Sequence, residues 1–184
     1  GDPGICGGQV EVYVEPILPR PGLLVIGVGH VGKAVAHLAH WLGFYVMVSD
    51  DRPELCTREL IPEADAFYPV VMAELPSLIK IDRWTAIVLT TRGSDVDVVG
   101  LPALLNTQAV YLGVIGSRRR WETTRRGLVE QGITPEQLGR VRSPIGLELN
   151  AETPEEIAVS ILAEILMLRH GGHGGEMSKP PKKR

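Results

Sequence analysis

The sequence predicts an α/β fold, doubly wound around a mainly parallel sheet with helices on both faces, plus a short N-terminal strand segment. Three observations predict it. Short apolar runs recur at Leu23–Ile26, Tyr45–Ser49, Ala86–Thr90 and Val110–Val114, without the polar alternation of a strand wetted on one side. Helical spacing separates them. A glycine-rich turn, GVGHVG, sits between the first run and the first helix.

The elements follow in order. Gln9–Glu15 alternates Val10, Val12 and Val14 with polar or aromatic neighbours, the period of a half-buried strand. Pro16, Pro19, Pro21 and Gly22 then break the chain, so residues 1–21 read as an N-terminal strand segment, either a small addition to the main domain or the remnant of a missing region. The main domain spans residues 22–170. After Leu23–Ile26, Val31, Val35, Leu38 and Leu42 give one helical face that Gly43 ends. Tyr45–Ser49 is the second buried strand and Ala66–Val71 a weaker third. Leu101–Leu105 lies in a helix, and Arg120–Gln131 forms another. Thr134-Pro135 with Gln137, and Thr153-Pro154 with Glu156, are helix starts with a cap, a first-turn proline and an acceptor three residues on. The second opens a long helix facing inward with Ile157, Ile161, Ile165 and Leu168. The tail, 171–184, has a composition that offers nothing to bury and is expected to be disordered.

Composition bounds the function. At 184 residues, 44% hydrophobic and 22% charged, the chain suits one domain with small additions. The net charge is −3, but Lys179, Lys182, Lys183 and Arg184 against Glu176 give the tail +3, leaving −6 for the rest. An acidic body argues against nucleic acid as a partner. No apolar run reaches the roughly 18–20 residues of a membrane span. Two cysteines make no secreted disulfide framework, so a reducing cytoplasm is the simplest setting, although the missing initial Met leaves a removed targeting segment open.

Gly27, Gly29 and Gly32 complete G-x-G-x-x-G, with Asp50 twenty-one residues after Gly29 at the end of the next strand. The first glycine permits the tight turn, the second lets backbone approach a phosphate, and the third lets helix and sheet close up. The helix N-terminus adds free N–H groups. Asp50 suits ribose hydroxyls, while the neighbouring Arg52 keeps a 2′-phosphate open. Thr91 and Arg92 follow a later strand, and Gly116, Ser117 and Arg118 follow another; a parallel sheet carries all these loops to one edge. Three consecutive arginines fan about 100° apart on a helix, so they cannot share one ligand, and Arg118 is the first choice for a phosphate. His30 lies inside the turn, within reach of a ligand. Cys6, before Gly7-Gly8, is a candidate sulfur or metal ligand or a structural thiol. No metal site is assigned: His37 with His40, and His170 with His173, lack further ligands.

These motifs, in order, resemble the XdhC/CoxI accessory proteins of molybdenum hydroxylases. The resemblance runs from Cys6-Gly7-Gly8 through Gly27-Val28-Gly29-His30, Asp50 with Arg52, Thr91-Arg92 and Gly113–Arg118 to Pro144–Leu147 and Thr153–Ile161. It implies a Rossmann-like domain that binds molybdenum cofactor, as molybdopterin or its dinucleotide form. It also implies partners: a xanthine dehydrogenase- or carbon monoxide dehydrogenase-type apoenzyme, and a sulfurase acting on the cofactor. Longer members carry a further region ahead of the Cys-Gly-Gly segment, and chemistry needing that region would come from elsewhere. The expected role is cofactor chaperone or insertion factor, without turnover of its own. An NAD(P)-dependent oxidoreductase and a nucleotide-sensing regulatory domain are the alternatives. A homo-oligomer is expected if the opening valine strand pairs with another chain.

Overall fold

The computed structural model describes residues 11–16 and 18–179. Its centre is a six-stranded sheet: β1 (Gly22–Ile26), β2 (Tyr45–Ser49), β3 (Ala66–Tyr68), β4 (Thr85–Leu89), β5 (Tyr111–Val114) and β6 (Val141–Arg142). The order is β3-β2-β1-β4-β5-β6, and every neighbouring pair is parallel. The order reverses between β1 and β4, which opens a crevice at the carboxyl ends of those strands.

Strand side chains alternate between faces, so a continuous apolar run fills two cores at once. Leu23 and Val25 enter one core with Val46, Val48 and Val88, under α1 (His30–Trp41) and the final helix, α6 (Pro154–His170). Leu24 and Ile26 enter the other with Ile87, Leu89 and Leu112. That second core lies under α2 (Leu75–Leu78), α3 (Ser94–Leu105), α4 (Arg118–Glu130) and the short α5 (Pro135–Leu138). Each fully buried Leu, Ile or Val contributes roughly 1.5–3 kcal/mol, so the two cores dominate the fold's stability.

The expected doubly wound parallel architecture is the one observed, with differences at its margins. Glu11–Pro16 carries no strand and is exposed, with Val12 at 73% and Val14 at 76%. A period of two makes a strand only where a neighbouring edge accepts its hydrogen bonds, and no described residue pairs with this segment. Gln9 and Val10, like Cys6, lie outside the described residues. The third strand stops at Tyr68 because Pro69 has no N–H for the ladder. The fourth helix begins at Arg118, ahead of the expected Arg120, because Ser117 Oγ accepts from Arg120 N at 3.2 Å and caps the earlier start. In α6 the buried face is Ala158, Ile161, Leu162 and Ile165, which leaves Leu168 40% exposed. Residues 171–179 form no helix or strand and are exposed, and the rest of the basic tail lies outside the described residues. Among the described residues no helix is long and apolar enough to cross a membrane.

Candidate functional site

The crevice is built around the turn after β1. Gly27 has φ +93°, and a Cβ there would lie 2.7 Å from the Thr90 carbonyl oxygen. Gly27 N donates to Ser49 O at 2.8 Å, Thr90 N donates to Ile26 O at 2.8 Å, and Thr90 Oγ1 donates to Gly27 O. The turn is thereby sewn to β2 on one side and β4 on the other. Gly32 presses onto it, since a Cβ there would stand 2.1 Å from Gly27 O.

Gly29 differs from both. Its φ is −67°, and a Cβ on it would meet nothing within 4 Å. It is the N-cap of α1, and no side chain caps that helix start. The first amides of α1 therefore keep their hydrogen-bonding capacity and the positive end of the helix dipole. His30, the first residue of the helix, is exposed beside them.

The acid ending β2 is committed within the chain. Asp50 is buried, and its carboxylate accepts from Val28 N at 2.9 Å, Arg52 N at 3.0 Å, Arg52 Nε at 2.8 Å and Arg52 Nη2 at 3.0 Å. Asp51, which sequence reasoning passed over, forms the rim. Arg92 Nη1 and Nη2 donate to its two oxygens at 2.6 and 2.7 Å, tying the loop after β2 to the loop after β4. Hydrogen bonding from Arg92 holds the Asp51 carboxyl below the usual range, although partial burial opposes this. The doublet Asp50-Asp51 beside Arg52 was the available signal.

The loop after β5 joins through Arg120. Its Nη2 donates to Thr91 Oγ1 and to Asp97 Oδ2, both at 2.7 Å, and its Nη1 donates to Thr91 O at 3.0 Å. Thr91 Oγ1 also donates to Asp97, which is 0% exposed. Gly116, at φ +139°, leaves space for this arginine, because a Cβ there would lie 2.7 Å from Arg120 Cδ. Ser117 spends its hydroxyl on capping α4. Arg118 and Arg119 are exposed and make no ion pair among the described residues. The structure thus brings Gly27, Gly29, His30, Gly32, Asp50, Arg52, Thr91, Arg92, Gly116, Ser117 and Arg118 to one edge of the sheet. Within that set it divides solvent-exposed groups, such as His30 and Arg118, from groups that brace the loops.

Cys56 is buried and free, its Sγ 3.5 Å from Val48 O, and burial pushes its thiol up. Among the described residues no three His, Cys, Asp or Glu side chains gather as a metal site.

The model of the XdhC Rossmann domain matches residues 23–165, from β1 to α6. The chain belongs to that family. Uncharacterized protein YqeB of Escherichia coli strain K12 is 35% identical over 181 residues, covering 95% of this chain and 32% of its own. A protein of Bacillus subtilis strain 168, named as a probable xanthine dehydrogenase component, is 35% identical over 159 residues, 86% of this chain and 46% of its own. Molybdenum cofactor insertion chaperone PaoD of Escherichia coli strain K12 is 30% identical over 90 residues, 49% of this chain and 28% of its own. A solved Bacillus halodurans structure described as a xanthine dehydrogenase superposes with a TM-score of 0.73 at 31% identity. It covers 83% of this chain and 45% of that one. This XdhC-family chain spans less than half the length of each of these relatives.

Proposed function

We propose that the domain is the cofactor-holding part of an accessory protein for a molybdenum hydroxylase. It binds the phosphate-bearing end of molybdenum cofactor and assists sulfuration of the cofactor or its insertion into the apoenzyme. Membership of the XdhC family and the similarity to the insertion chaperone PaoD support the accessory role. The observation that carries the binding reading is the open approach at Gly29, over a helix start that no side chain caps.

The donor set fits a phosphate. Backbone N–H groups at the start of α1 suit phosphate oxygens, and Arg118 offers a guanidinium with no competing acid among the described residues. Thr91, Arg92, Gly116 and Ser117 shape the walls, and His30 flanks the mouth. The buried Cys56 faces inward, and the candidate ligand Cys6 lies outside the described residues. The metal end is presented to a partner. When bound, the cofactor supplies the molybdenum centre whose reactivity belongs to the hydroxylase. The chain's own groups orient it and give it up.

The test is native mass spectrometry of protein purified from cells that make the cofactor, with variants. Wild-type protein is expected to carry the cofactor mass. Gly29→Ala is expected to fold normally and lose the ligand, because its methyl enters free space at an ordinary φ. Arg118→Ala is expected to weaken binding roughly ten-fold or more without a change in Tm, the scale of one charge-assisted hydrogen bond. Equal cofactor occupancy in wild type and both variants removes the reading. Tight NADH binding with substrate-dependent oxidation would put a nicotinamide oxidoreductase in its place.

A further inference from the structure

A dinucleotide crevice of this type holds a ribose through the acid at the end of β2, which must offer a free carboxylate oxygen to the ribose hydroxyls. Here that acid has none to offer. Asp50 Oδ1 accepts from the backbone and side chain of Arg52, and Oδ2 accepts from Val28 N and from the same guanidinium. A carboxylate has about four lone-pair sites, and these four bonds fill them. The Asp50 side chain is 1% exposed, with Arg52 lying across it at 39%. The next acid, Asp51, has both oxygens held by Arg92. A ribose entering here would find the Asp50 carboxylate closed to its hydroxyl donors and, beside two guanidinium groups, only Asp51, whose two oxygens are already turned to Arg92. Ribose hydroxyls that lose the Asp50 acceptor hold a dinucleotide less tightly.

We infer that Arg52 determines specificity at this site. By occupying Asp50 it makes the crevice select a ligand ending in a monophosphate over one that continues through a pyrophosphate into a nucleoside. This rests on the cofactor-binding reading above and narrows it to the shorter form of the cofactor. The same features suit a phosphate terminus, which only accepts hydrogen bonds: an uncapped helix start on one side, and Arg52 and Arg92 on the other.

The experiment compares three proteins, wild type, Arg52→Ala and Arg52→Lys. Each is titrated with molybdopterin-form cofactor released from a purified molybdenum enzyme, with the cytosine dinucleotide form, and with NADH and NADPH. Wild type is expected to bind the monophosphate form at least ten-fold more tightly than the dinucleotide form. Arg52→Ala uncovers Asp50 and is expected to bring that ratio near one by improving dinucleotide binding. Arg52→Lys keeps the charge but cannot fork, so it gives the same direction of change if Arg52→Ala folds poorly. Equal affinities in wild type, or an unchanged ratio in a folded variant, overturns the inference while leaving cofactor binding intact. NADPH binding as tightly as the monophosphate form also overturns it, because the guanidiniums would then be reading a 2′-phosphate. Binding of neither cofactor form removes the accessory reading and this selectivity with it.

Discussion

Two of the three consecutive arginines at the start of α4 have opposite fates. Arg120 is drawn inward by Asp97, which is fully buried, while Arg118 stays in solvent. Losing one partner of a buried pair strands the other, at a cost of roughly 3–5 kcal/mol. Arg120→Ala should therefore lower Tm on the order of 10 °C for a chain of this size, where Arg118→Ala should leave it unchanged; differential scanning calorimetry on the two variants checks this. Sequence alone reveals that three consecutive arginines must fan apart. It does not reveal which one turns inward, because that depends on where α3 delivers Asp97. Asp50 teaches the same lesson. Its place at the end of β2 was legible, but its saturation by Arg52 follows from a loop conformation that no spacing encodes.

The two helix starts with a full capping box were legible, because such a cap is a local contract among four residues. Thr134 and Thr153 both form full capping boxes, with Gln137 and Glu156 reaching back as their spacing predicts. At the second box, Glu156 Oε2 accepts from Thr153 N at 3.1 Å and from Glu152 N at 2.8 Å. Thr153→Ala should cost about 1 kcal/mol. Thermal unfolding should show it as a drop of about 2–4 °C. The buried parallel strands were legible for a similar reason, since each apolar run serves two cores. The two-residue β6 was not, because so short a strand leaves no period to count and exists only by pairing Val141 with Leu112 and Arg142 with Gly113. The alternating segment at Glu11–Glu15 carries the period of a strand, but no described residue pairs with it.

Across the whole molecule, the Asp51–Arg92 bridge joins the two sides of the crevice, so the tie between these loops depends on pH. The folded carboxyl sits below its ordinary value, so its contribution is fully present above that value and is lost as pH falls through the lowered one. An exposed-rim pair contributes at most about 1 kcal/mol. Urea midpoints of wild type and Asp51→Asn should differ at pH 6, begin to approach one another only below the ordinary carboxylate value of about 3.9, and meet once pH has fallen past the lowered one. A gap that persists at acid pH would assign the effect to packing rather than charge. The placement of α6 has a different consequence. The last helix of the domain packs on α1 and supplies Ala158, Ile161, Leu162 and Ile165 to the same core as Val25 and Val35. A chain still emerging from the ribosome therefore holds its first strand–helix unit half-covered until almost all the domain has been made. Premature termination anywhere before Pro154 would yield a sticky, protease-prone fragment instead of a smaller working protein.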